Sequence, residues 1–170
     1  YSDADQKKCV KDAIAGVDAS SDNFQPPKML NLISNLKNDL IMPDDFKKTA
    51  NDFYQKMAAK IYKRYQDIME ANNSLDFDDL LTKTALLMRD YPDIREQLGE
   101  RFKYLLVDEY QDTNQAQYQI AKGIAISHGN ICVTGDPDQS IYRWRGADIK
   151  NILAFEKDWP QAKIIKLEEN

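Results

Sequence analysis

Two short apolar runs, each ending abruptly in polar residues, set the narrowest limits on how this chain folds. Tyr104-Leu105-Leu106-Val107 runs into Asp108-Glu109, and Ile131-Cys132-Val133-Thr134 runs into Gly135-Asp136. Runs this short and this apolar read as strands buried on both faces. The spacing predicts a helix from about Asn114 to Ser127 between them, a further helix from about Asp148 to Lys157, and a third strand over Lys163 to Leu167. Strand, helix, strand, helix, strand predicts an α/β fold with a parallel sheet, because parallel neighbours need a crossover connection rather than a tight turn. In such sheets the residues that do chemistry gather at the strand C-termini.

The pattern upstream of Phe102 is different. Asp5 to Ile14 and Lys28 to Leu40 have helical spacing, the second preceded by Pro26-Pro27, which suits a first turn. From Phe46, apolar or aromatic residues at Ala50, Phe53, Met57, Ile61, Tyr65 and Ile68 recur every three or four positions, predicting one long helix after Pro43-Asp44-Asp45 that ends near Asn72-Asn73. A fourth helix runs from Asp76 to Arg89 and stops at Tyr91-Pro92. The expected organisation is a mainly helical region over residues 1–100 and a strand-containing region over 101–170.

Composition narrows the function. With 170 residues, 42% of them apolar, the chain can bury one moderate core or a core with a helical appendage. No run approaches the roughly 18 apolar residues of a membrane span, so no membrane role is expected. Two distant cysteines, Cys9 and Cys132, and a single histidine, His128, do not supply a zinc ligand set, and they fit a reducing cytoplasm. A net charge of -5 argues against a general polyanion binder, so any nucleic-acid contact must be local. The opening Tyr1-Ser2-Asp3 lacks an initiator Met and a signal-peptide pattern, which is expected of a piece of a longer protein.

Candidate chemistry sits at the strand ends. In nucleotide hydrolases an acid at the tip of a buried strand holds magnesium, usually through water, and a neighbouring acid orients or deprotonates the attacking water. Asp108-Glu109 fits that division, although two letters are a weak motif and an acidic pair also suits the start of a turn before a helix. Asp76, Asp78 and Asp79 suggest a metal cluster less well than a helix cap. His128 suits a helix C-terminus. Lys47, Lys48, Lys56, Lys60, Lys63 and Arg64 read as a solvated helix face.

The second strand end carries a much longer signal, Gly135-Asp136-Pro137-Asp138-Gln139-Ser140-Ile141-Tyr142-Arg143-Trp144-Arg145-Gly146-Ala147. Together with Val107-Asp108-Glu109-Tyr110-Gln111-Asp112-Thr113, it resembles the second and third motifs of the UvrD/Rep family of superfamily-one DNA helicases. Leu75-Asp76-Phe77-Asp78-Asp79-Leu80 and Ile33-Ser34-Asn35-Leu36-Lys37-Asn38 resemble segments of that family's helical insertion and its return to the motor domain. The resemblance implies a helical insertion subdomain followed by part of a RecA-like parallel sheet. It further implies ATP and Mg2+ as cofactors, Asp108 on the metal, Glu109 as general base, and Gln139 sensing the γ-phosphate. Tyr142, Trp144 and Arg145 would meet single-stranded DNA, consistent with aromatic rings that stack on any base and an Arg that takes a phosphate or a ring face. Without the motif, core packing would be the favoured reading of Tyr142 and Trp144, since aromatics are more often buried than functional.

The resemblance also implies duplex-junction DNA as a partner and 3′-to-5′ polarity, with a weak phosphate track along the Lys47–Arg64 basic residues as the alternative to a solvated face. No GxxxxGK[ST] phosphate loop occurs in these residues, so these 170 residues alone are expected to be inactive, their partners being the remaining domains of a longer parent chain. A sheet without its neighbouring strand would leave edges that invite self-association. Alternatives are the helicase motor of a helicase-nuclease, a DNA- or partner-binding module that hydrolyses nothing, and a metal nuclease built on Asp76, Asp79, Asp108 and Glu109.

Overall fold

A computed structural model describes residues 1–17, 19, 23–139, 150–153 and 155–166. The chain divides into two compact units, Tyr1–Pro92 and Asp93–Asn170. Among the described residues, no helix is long and apolar enough to cross a membrane.

The first unit is helical: α1 (Asp3–Ala15), α2 (Pro26–Asn38), α3 (Pro43–Thr49), α4 (Phe53–Ala71) and α5 (Phe77–Asp90). Local chemistry sets the helix ends. Ser2 and Asp5 form a reciprocal capping box on α1, as do Asp76 and Asp79 on α5, while Pro26 and Pro27 open α2. The core joins Val10, Ala13 and Ile14 of α1, Met29 and Ile33 of α2, and Ile61, Tyr62, Tyr65 and Met69 of α4.

The single long helix expected from Phe46 to Asn72 is two helices, broken at Ala50–Asp52. The Asp52 carboxylate accepts from the Gln55 amide at 2.7 Å, and the Gln55 side chain accepts from the Asn51 amide at 2.9 Å. An Asp three residues before a Gln is a helix-start pattern, and its hydrogen bonds compete with helix continuation. Phe53, expected on the buried stripe, is consequently 73% exposed, whereas Ala50, Ile61 and Tyr65 are buried. The basic residues from Lys47 to Arg64 are all exposed, in agreement with a solvated face.

The second unit contains most of α6 (Pro92–Arg101), then β1 (Leu105–Val107), a 3-10 turn (Tyr110–Asp112), α7 (Gln115–Ala125), β2 (Ile131–Val133), a second 3-10 turn (Pro137–Gln139), and the short helices α8 (Lys150–Leu153) and α9 (Phe155–Asp158). β1 and β2 pair in parallel with Leu105 opposite Ile131 and Val107 opposite Val133. Tyr118 and Lys122 of α7 both bond Asp158 of α9, the lysine at 2.8 Å.

Two expectations for this unit need correction. Residues 163–166 form no strand, so the sheet has two strands among the described residues; Ile164 and Ile165 are 56% and 73% exposed, and a strand without a ladder partner has nothing to hold its backbone. Nor are the strands buried on both faces. Leu105, Val107, Ile131 and Val133 are half-buried, but Leu106 is 77% exposed and its register partner Cys132 is exposed too. Successive side chains alternate across a strand, so one face is covered and the other open.

Candidate functional site

The two strands end side by side, and their parallel register puts both polar loops at one edge of the sheet. The ladder continues past the strands: the Thr134 amide donates to the Val107 carbonyl at 2.9 Å, and the Tyr110 amide donates to the Thr134 carbonyl at 2.9 Å. Asp108 and Glu109 therefore lie directly against Thr134 and Gly135.

Asp108 is exposed, and its Oδ1 accepts from the Thr134 hydroxyl and, at 2.9 Å, from the Glu109 amide. These two hydrogen bonds, the hydroxyl's first, hold the carboxyl below its ordinary pKa and keep it an anion. Its Oδ2 carries no hydrogen bond among the described residues. An ionised carboxylate fixed through one oxygen and open at the other suits a hydrated divalent cation.

Glu109 adopts a left-handed backbone, φ 50° and ψ 43°, which costs a non-glycine residue about 1–2 kcal/mol. That conformation turns the chain out of the strand into the 3-10 turn and directs successive carboxylates differently. Glu109 Oε2 accepts from Gln111 Nε2 at 2.7 Å, leaving Oε1 open to a water. Tyr110 is buried edge-on against Phe155, with ring centroids 5.7 Å apart, and the buried Asn151 donates to the Thr113 carbonyl at 3.0 Å. These contacts anchor the far side of the turn.

The loop after β2 is organised by Asp136. Its carboxylate accepts from the Asp138 amide at 2.9 Å and from Gln139 Nε2 at 2.8 Å. Gln139 is exposed in the 3-10 turn beside the acidic pair's loop. Asp108, Glu109 and Gln139 thus belong to two adjoining loops. Tyr142, Trp144 and Arg145 lie outside the described residues.

Reading the sequence alone missed Thr134, Asp136 and Gln111, which hold the site together. Gln111 is 1% exposed and joins Glu109 to the amide of Asp136. Its position in the Asp108–Thr113 segment was the available signal, but a Gln after a strand reads as surface. The other titratable candidates have structural roles. Asp76 and Asp79 bond the buried Lys37 at 2.6 and 2.9 Å, as well as capping α5. His128 Nδ1 accepts from the Asn130 amide at 3.0 Å, which makes Nε2 the donor to the Phe102 carbonyl at 2.9 Å.

A family model for the UvrD/REP helicase N-terminal domain matches residues 1–160. The chain belongs to this family of helicase domains. It is 50% identical over 166 residues to the ATP-dependent DNA helicase PcrA of Staphylococcus epidermidis, and 48% identical over 166 residues to that of Staphylococcus aureus. Each alignment covers 98% of this chain and 23% of the relative, so the chain spans about a quarter of the length of these helicases.

Proposed function

We propose that these residues are part of the motor of an ATP-dependent DNA helicase that couples Mg-ATP hydrolysis to 3′-to-5′ movement on single-stranded DNA and to duplex unwinding. The observation that carries the reading is the meeting of Asp108, Glu109 and Gln139 in two hydrogen-bonded loops at one sheet edge, within a chain that belongs to this helicase family. Residues 1–100 are assigned to the helical insertion and its return, and residues 101–170 to part of a RecA-like domain.

Each residue has a distinct task. Asp108, ionised and fixed through Oδ1, would hold the magnesium ion. Magnesium, when bound, neutralises charge on the phosphate oxygens. Glu109 orients the attacking water and accepts its proton through Oε1. Gln139 would meet the γ-phosphate, and its place just ahead of Tyr142, Trp144 and Arg145 in the sequence would connect nucleotide state to DNA grip. The phosphate cradle is supplied by a segment outside these 170 residues, which contain no GxxxxGK[ST], so hydrolysis is assigned to the longer protein.

Strand displacement by the full-length protein tests this reading. With ATP and magnesium, a duplex carrying a single-stranded 3′ tail is expected to unwind, and one carrying only a 5′ tail is not. Unwinding from the 5′ tail alone would overturn the polarity, and no ATP-dependent displacement of either would overturn the helicase assignment.

Trp144 provides a second test. It stands between Arg143 and Arg145 and before Gly146, in the segment that follows the Gln139 turn. A base-stacking role predicts that Trp144→Ala costs about 1–3 kcal/mol of single-strand affinity with little dependence on base sequence. Basal ATP hydrolysis should survive while its stimulation by DNA falls. A core tryptophan would instead cost about 3–5 kcal/mol of folding stability. A DNA titration paired with a denaturant melt separates the two; lost stability at unchanged DNA affinity would return Trp144 to the core.

A further inference from the structure

Gln111 is buried and touches both loops of the site through both ends of its amide. Its Nε2 donates to Glu109 Oε2 at 2.7 Å, and its Oε1 accepts from the Asp136 amide at 3.1 Å. It is 1% exposed, so water does not compete for either bond. The amide orientation follows from chemistry: a carboxylate only accepts and a backbone N–H only donates, so the reverse placement would break both bonds.

The loop after β2 is shaped around this residue. A Cβ on Gly135 would stand 2.4 Å from Gln111 Oε1 and 3.2 Å from the Tyr110 nitrogen, so the backbone approaches Gln111 closely only because residue 135 has no side chain. Asp136, whose amide meets Gln111, also holds Gln139 through its own carboxylate. An unbroken path of hydrogen bonds therefore runs from Glu109 through Gln111 and Asp136 to Gln139.

We infer that Gln111 is a positioning residue that aims the Glu109 carboxylate and ties it to the Asp136–Gln139 loop. The inference rests on the proposed role of Glu109 as base. With Oε2 tethered, the carboxylate cannot rotate freely about its own side chain, and Oε1 is presented in one direction. Loss of the tether leaves the base present but misaimed, which lowers the rate of the chemical step and leaves nucleotide binding to other groups.

The test is steady-state ATP hydrolysis by the full-length protein with saturating single-stranded DNA, comparing wild type with Gln111→Leu, Gln111→Glu and Glu109→Gln. Gln111→Leu keeps the buried volume and removes both bonds. Gln111→Glu keeps the acceptor for the Asp136 amide but sets a second carboxylate against Glu109. Both are expected to lower kcat by about 10- to 100-fold with the KM for ATP within twofold of wild type, measured well below each variant's melting temperature. If Gln111→Leu does not fold, Gln111→Glu decides the matter. A wild-type kcat in either folded variant, or a raised KM at unchanged kcat, overturns the inference. Glu109→Gln separates the two readings: if it retains turnover, the base assignment itself fails, whereas an inactive Glu109→Gln beside a fully active Gln111→Leu removes only the positioning role.

Discussion

Replacing Lys37 with Met is expected to destabilise the helical unit by about 3–5 kcal/mol, the usual cost of removing one partner from a buried ion pair. Lys37 is fully buried and bonds Asp76 Oδ2 at 2.6 Å and Asp79 Oδ1 at 2.9 Å. Its ammonium also lies 5.2 Å from the centre of the Tyr65 ring, while the Tyr65 hydroxyl donates to Asp76 at 2.9 Å. Gln66 reaches Asp79 at 3.3 Å and the Thr82 hydroxyl donates to the Lys37 carbonyl at 3.0 Å. One cation thus joins α2, α4 and α5. Without it, two carboxylates remain in a buried site with no countercharge among the described residues.

The pH dependence gives the sign of this effect. Burial alone would raise the Asp76 pKa, but the Lys37 charge and hydrogen bond, the Asp79 amide and the Tyr65 hydroxyl outweigh it and lower the value. A depressed carboxyl adds stability above its unfolded pKa of about 3.9 and loses it as pH falls through the folded value. The wild-type unit is therefore expected to weaken only at strongly acid pH. In Lys37→Met, burial without the Lys37 charge raises the Asp76 pKa, so that variant should gain stability as pH falls from neutral. Urea melts at several pH values check both slopes; a loss under about 1 kcal/mol at pH 7 would contradict an essential buried cation.

Lys37 also marks where sequence reasoning stops. The cap at Asp76 and Asp79 is legible because both partners lie within one turn of the helix start. The ion pair is not, because its lysine lies 39 residues upstream of Asp76, in the last turn of a helix where a basic residue already suits the dipole. The same division holds elsewhere. Parallel strands and the placement of Asp108, Glu109 and Gln139 at their ends follow from apolar runs that stop in polar residues. The break at Ala50–Asp52 is not legible because an apolar stripe at helical spacing masks the Asp52–Gln55 start signal. The missing strand at 163–166 reflects the limit of local pattern, since strand formation depends on a partner elsewhere. Gln111 was hidden for a similar reason: its importance lies in a contact to Asp136 across the sheet edge.

Within the proposed site, Asp108 and Glu109 should fail in different ways. Asp108→Asn removes the charge that Thr134 and the Glu109 amide stabilise, so the magnesium concentration needed for activity should rise. Glu109→Gln keeps the side-chain size and some hydrogen bonding but cannot take a proton, so its loss should fall on the chemical step, by at least about 100-fold. The most direct measurement of the central claim is single-turnover ATP hydrolysis by the full-length Glu109→Gln protein, with nucleotide binding followed in parallel. ATP binding is expected to stay near normal with hydrolysis and unwinding abolished; hydrolysis at close to the wild-type rate would show that Glu109 is not the base and that this sheet edge is not the catalytic half of the ATP site.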